Sequence, residues 1–417
     1  MAALMAINSL GMDLMLAALP QMSETLHIAR ENDRQWIIGA YMLAFGAGQI
    51  FYGPLADRFG RKPILLGSLA VFSVASIAAA FADSFATMIA ARLVQGFSVA
   101  SSRVLNISII RDCYSGRQMA RVISLSFIVF QLVPLLAPGM GQLILLFAPW
   151  PAIFLVLAAC STALVGWLAW RLPETLHPEH RRPIDLAAIV SAAAEAMTNR
   201  HAIGYTVSVA LMFGAMMGFI NSAQQLFFDT FQVPQFFAIA FAGVSIFMAV
   251  AAFTNSRIVD RLGTHFVSHV ALIAFVVLSG LHLLIVSIGL QTFWSFMLLQ
   301  GTTAFCFSLA APNFGAMAIQ PMGHIAGTAA SIQSFITTVG ATLLGLLIGL
   351  NFDGTSRPLV AGFFILGLAA LAVVFVTERG RLCLVPENDE TQIDDENWIA
   401  DGSSSSRKGH VSTAMRE

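Results

Sequence analysis

Apolar residues in this chain come in long unbroken runs of about 20, divided by short polar stretches, and neither the alternation of a half-buried strand nor one apolar helical stripe dominates. A run of that length matches a hydrocarbon slab of roughly 30 Å at about 1.5 Å of rise per helical residue. The runs fall near residues 2–22, 36–56, 63–82, 85–109, 119–147, 151–171, 202–227, 236–255, 265–288, 292–312, 325–350 and 358–377. They predict an all-α polytopic membrane protein with twelve transmembrane helices. Composition strengthens this: 57% of the 417 residues are hydrophobic and 11% charged, against roughly 45–50% apolar usage in soluble domains. The first run opens almost at Met1, has no basic lead and carries Asn8 and Asp13. A cleaved leader is therefore not expected, and the natural start lies either here or upstream.

Charge orients the spans. Arg58, Arg61 and Lys62, then Arg111, Arg117 and Arg121, then Arg171, Arg181, Arg182 and Arg200, then Arg257 and Arg261 fall between runs on one side, and the tail adds Arg379, Arg381, Arg407, Lys408 and Arg416. The other side holds only Arg30, Arg34 and Arg357. The positive-inside rule makes the first side, with both termini, cytoplasmic. The one long internal polar stretch, 172–201, contains Pro173, Pro178 and Pro183 and an amphipathic piece at 184–197. It divides an N-terminal six-helix bundle (1–171) from a C-terminal one (202–377), and 378–417 reads as a disordered cytoplasmic tail with the acidic run NDETQIDDEN and then SSSS.

The halves echo each other. Asp57-Arg58-Phe59-Gly60 returns as Asp260-Arg261-Leu262-Gly263, and Gln95-Gly96 as Gln300-Gly301, at offsets of 203 and 205 residues. Two matches at nearly one offset, each after or within the corresponding span, suggest a duplicated unit. Cys113, Cys160, Cys306 and Cys383 show no ligand or disulfide spacing and read as small apolar fillers. No P-loop, HExxH or GxSxG motif is present, so an enzyme is not expected. A net charge of -1 gives no reason to expect a nucleic-acid partner.

The stretch GPLADRFGRKP at 53–63 concentrates charge in a chain that avoids it, and it resembles the loop 2–3 signature of the major facilitator superfamily. MDLMLAALPQM in span 1, RLVQGFSVASSRVLNISIIRDCY in span 4 and LVPLLAPGMGQLI in span 5 are similar to the drug/proton antiporters of the bicyclomycin- and chloramphenicol-resistance (Bcr/CflA) group. The resemblance implies a major facilitator fold of two six-helix bundles in a bacterial plasma membrane. It further implies a secondary transporter, monomeric and without cofactor, that exports small amphiphilic drugs or metabolites against protons by alternating access. Uptake of a small nutrient by proton symport is the alternative on the same fold. It also implies a cytoplasmic gate formed by Gly53, Asp57, Arg58, Gly60, Arg61, Lys62, Arg111 and Asp112, in which Asp57 meets a helix N-terminus and the basic residue ending span 4, Arg111. Gly53 would let span 2 approach a neighbour, and Gly60 would turn the chain. Span 5 departs from the antiporter pattern at Ala137 and Gln142, where Gly is usual, but keeps Pro134, Pro138, Gly139 and Gly141, a bend set in the helix. The second loop has Thr264-His265 where the first has Arg61-Lys62, so only the first forms a full gate.

Polar residues inside the spans are the remaining candidates. Asp13 lies about 16 Å into span 1, and Arg92 about 10 Å into span 4 from the other side, by helical rise. An ionisable group at such depth faces an internal cavity. A direct or water-bridged Asp13–Arg92 pair is expected, either coupling a proton, because desolvation and a counter-charge act oppositely on a carboxyl, or locking the bundle. Arg103 either snorkels to the surface or meets substrate beside Asn106. Gln131, Asn221, Gln224 and Gln225 either line a substrate cavity or join helices. His282 reads as a packing histidine. Ala40-Ala44-Gly48 and Ala341-Gly345-Gly349 are small-residue stripes for close helix contact.

Overall fold

A computed structural model describes residues 1–114, 116–177, 179, 181 and 186–383. The chain runs through α1 (Ala2–Asp13), α2 (Leu19–Thr25), α3 (Trp36–Phe59), α4 (Arg61–Ala80), α5 (Phe85–Cys113), α6 (Gly116–Phe147) and α7 (Pro151–Arg171). It continues with α8 (Leu186–Thr198), α9 (Arg200–Gln225), α10 (Phe237–Leu262), α11 (Thr264–Ser287), α12 (Phe293–Ile319), α13 (Ala326–Leu350) and α14 (Arg357–Thr377). Among the described residues there is no strand. Among the described residues eleven helical segments, with α1 and α2 counted as one, are long and apolar enough to cross a membrane, and α6 adds the apolar stretch Val133–Phe147. Large apolar side chains such as Leu146, Phe147 and Trp170 lie more than three-quarters exposed on the outside, as a bilayer solvent allows and water does not. The linker segment forms α8, which packs on α9 and α13; residues 182–185 and the tail from 384 lie outside the described residues.

Helix ends follow local chemistry. Ser84 and Thr87 close a capping box on α5, and Thr292 and Ser295 close the matching one on α12, so span 4 and span 10 start alike. The Gln-Gly pairs correspond too. A Cβ on Gly96 would strike the Tyr41 carbonyl of α3, and one on Gly301 would lie 2.6 Å from the Phe247 ring of α10. Span 4 thus closes on span 2 where span 10 closes on span 8, the signature of a repeated unit. Because backbone stands where the side chain would go, Gly96→Val is expected to cost about 1–3 kcal/mol of stability, read as a lowered thermal melt in detergent. A melt equal to wild type would contradict this packing.

Two sequence expectations change. The charged stretch at 53–63 is not a loop: α3 runs to Phe59 and α4 starts at Arg61, leaving Gly60 at φ 103 as the whole connection. The same holds at Gly263, φ 77, between α10 and α11. Span 1 is not one helix. It breaks after Asp13, passes a short tight turn at Leu16–Ala18 and resumes at α2, whose first turn carries Pro20. Span 5 is a single helix through Pro134 and Pro138, and Gly141 sits against the break, where a Cβ would collide with the Leu14 carbonyl.

Candidate functional site

The seam between the halves is built by α3 and α13. At its end away from the basic face Gln35 Nε2 donates to Gln225 Oε1 at 2.7 Å and to the Gly349 carbonyl at 2.8 Å. Asn32 Nδ2 donates to the carbonyls of Leu350 and Phe352, and its Oδ1 accepts from Gln225 Nε2. Arg34 pairs with Asp229 at 3.3 Å. Further along, a Cβ on Gly39 would lie 2.6 Å from Leu346 and one on Gly46 2.7 Å from Val339. Gln49 Nε2 donates to Thr338 Oγ1 at 3.2 Å as the last tie. On the side away from the basic face α6 also meets α10, through Gly139 beside Ala238 and Gln142 Nε2 donating to the Pro234 carbonyl.

Two cavities lie between the halves, the first beside the seam at Met42 and Phe45 and the second from Gln49 onward. A cavity of about 380 Å³ holds Asn8, Ser9, Asp13, Arg103, Pro134, Ser245, Ser308, Thr337 and Thr338 in a wall otherwise rich in Met and Phe. A second, of about 290 Å³, is lined by Gly53, Asp57, Arg61, Arg103 and Arg111 on one side and Gly327, Thr328 and Ser331 on the other. Arg103 lines both, so together they run from Asp13 to the basic face, and of the two readings of Arg103 the cavity position is the one observed.

Asp13, 4% exposed, is the last residue of α1 and faces the first cavity. Arg92 is fully buried but not paired with it: no ion pair joins them among the described residues. Its Nη1 donates to the Gly11 carbonyl at 2.9 Å and to Gln95 Oε1 at 3.0 Å, its Nε to the Ile37 carbonyl at 3.1 Å, and its plane lies 4.1 Å from the Tyr41 ring centre. The break in span 1 explains this, since ending the helix at Asp13 frees a carbonyl near its end, and the Gly11 oxygen takes the guanidinium.

The charged cluster also differs from expectation. Asp57 takes Arg61, at 2.6 Å, rather than Arg111, and Arg61 continues to Asp112 at 3.2 Å. A Cβ on Gly53 would meet nothing within 4 Å, because the second cavity lies beside it. Arg58 covers the Phe59 ring, and Lys62 Nζ donates to the Ala169 carbonyl. Glu174, which sequence reasoning passed over, accepts from the amides of Arg61 and Lys62 at 2.9 and 3.2 Å and caps α4 from the linker. Of the other cavity candidates, Asn106, Asn221 and Gln224 are buried and outside both cavity linings, and Gln225 belongs to the seam. The Gln131 side chain lies outside the described residues. His282 meets Gln291 and the Phe296 ring, a packed position.

Residues 1–345 match the family model described as Major Facilitator Superfamily. The chain belongs to the major facilitator superfamily. This facilitator is 30% identical to the bicyclomycin resistance protein homolog of Haemophilus influenzae over 376 residues, 88% of this chain and 93% of that protein. It is 33% identical to multidrug resistance protein D of Escherichia coli over 190 residues, 43% of this chain and 47% of the other. Among solved structures, the nucleoside transporter NupG matches with a TM-score of 0.68 at 16% identity, covering 91% of this chain and 98% of its own. The human organic anion transporter MFSD10 matches at 0.64 and 18%, covering 89% and 97%. The facilitator is thus a multi-pass membrane transporter for small molecules, related to drug-resistance proteins, and not an enzyme.

The seam makes a direct expectation. With the four native cysteines replaced, a disulfide between Asn32→Cys and Phe352→Cys should abolish transport, and a reductant should restore it. Undiminished flux through the oxidised protein would mean that this end never opens.

Proposed function

We propose that this facilitator is a proton-driven exporter of small amphiphilic molecules that works by alternating access without a cofactor. With the basic face cytoplasmic, as the distribution of Arg and Lys favours, both termini lie inside a bacterial plasma membrane and this conformer is open to the cytoplasm. One observation carries the reading: beside a seam closed from Gln35 to Gln49 lies an apolar cavity with a buried carboxyl, Asp13, on its wall, continued toward the basic face by the second cavity. The Met- and Phe-rich wall suits varied apolar bodies, since Met repacks readily. Asp13 carries the proton, because an ionisable group at that depth, facing a cavity, is costly unless it works. The charged cluster then closes the cytoplasmic mouth in the opposite conformer, where Gly53 and Asp57 meet the start of α13. One chain suffices, as cavity and seam lie between its own halves.

The test is flux in proteoliposomes with an imposed pH gradient, against a panel of amphiphilic drugs and metabolites. Substrate should leave the compartment facing the basic face as protons enter it, and a protonophore should abolish the movement. Gradient-driven accumulation in that compartment would instead establish symport, and insensitivity to the protonophore would exclude proton coupling.

A further inference from the structure

At the basic-face end of the second half lies a cluster outside the linings of both cavities. His265 and His269 stand one turn apart on α11, and Glu378 follows α14 directly. One ligand atom from each lies within 4.8 Å of the others, with His265 Nδ1 4.0 Å from Glu378 Oε1. His269 is 1% exposed, and its Nε2 has no hydrogen-bond partner. Tyr205 of α9 donates its hydroxyl to Glu378, which fixes the carboxylate. The Phe314 ring packs on both Tyr205 and His269, with centres 5.4 and 6.0 Å away. A buried nitrogen left without a partner needs an explanation, and beside a second imidazole and a carboxylate the explanation is a ligand.

We propose that His265, His269 and Glu378 bind a transition-metal dication of the Zn²⁺ class, joining the start of α11 to the end of α14. Two imidazoles and one carboxylate suit Zn²⁺ or Co²⁺, whereas Mg²⁺ favours oxygen alone. Donors around a tetrahedral ion with bonds of about 2.0–2.1 Å stand about 3.3 Å apart, so small side-chain rotations close the site. Tyr205 acts as the positioning residue for Glu378.

Metal binding has a structural consequence. His269 Nδ1 accepts from the Cys383 amide at 3.0 Å, which places the ring proton on Nε2. A ring that gives Nε2 to a metal carries its proton on Nδ1 instead, so the Cys383 amide must turn away. Cys383 holds φ 63, a left-handed conformation that side chains disfavour, so releasing it relieves strain. Occupancy of the site therefore loosens the chain just past α14.

The full chain, stripped with chelator, is titrated with Co²⁺ while visible absorption is read. One equivalent should give the intense bands of a four- or five-coordinate ion; Zn²⁺ should bleach them and Mg²⁺ should not. His269→Gln and Glu378→Gln should each lose that equivalent, Tyr205→Phe should weaken it by about 10-fold, and His410→Ala should leave it intact. Wild-type protein without the bands overturns the proposal whatever the variants do, as do bands that persist in both His269→Gln and Glu378→Gln.

Discussion

Replacing Asp13 by Asn is expected to abolish pH-driven transport while the protein still folds and binds substrate. The side chain is buried at the end of α1 on the cavity wall and makes no ion pair with Arg92, so no structural tie is lost. The amide keeps size and polarity but exchanges no proton. Thermal melts should match wild type to within a few degrees, and substrate binding by equilibrium dialysis should persist. Flux after a pH jump should fall to the level of empty liposomes. An Asp13→Asn protein that still drives uphill exchange would remove this carboxyl from the mechanism.

Arg92→Ala should behave in the opposite way. The guanidinium holds α1 through Gly11, α3 through Ile37 and its own helix through Gln95, with the Tyr41 ring against its face. Truncation leaves buried carbonyls without donors and opens a void among three helices, a loss on the order of 3–5 kcal/mol. The melt should drop sharply, and the fraction that survives should keep the wild-type pH profile of transport. A stable Arg92→Ala protein with a displaced profile would show instead that Arg92 acts on the proton site.

The helical spans, the clustering of Arg and Lys on one face and the echo between the halves were legible because each is a local or strictly periodic property. Runs of apolar residues, clusters of Arg and Lys, and Gln-Gly at a fixed offset all survive projection onto one dimension. The break in span 1 was harder to see, since 14–19 is apolar throughout; Pro20, suited to a helix start and placed inside the run near its end, was its signal. The seam between the halves left almost no trace. Asn32 and Gln35 look like solvated loop residues, and their partners lie about 190 to 320 positions away. Gln225 drew notice only as a polar residue in an apolar run, which does not say whether it meets substrate or another helix. The Asp13–Arg92 pairing failed for a related reason. Equal depth in the membrane is compatible with facing different neighbours, and only the three-dimensional course of α1 shows that Arg92 turns toward a carbonyl.

The tie between Gln49 and Thr338 marks where the seam ends, and it makes α3 a beam with unequal arms. From that tie the outer arm reaches back to Gln35, about 21 Å of helix, and the inner arm reaches Gly60, about 16 Å. A rigid helix turning about the tie moves its outer end about 1.3 times as far as its inner end. In the exporter proposed above, closing the basic face by a given travel would therefore swing the opposite face wider, and the opposite mouth would be the broader of the two.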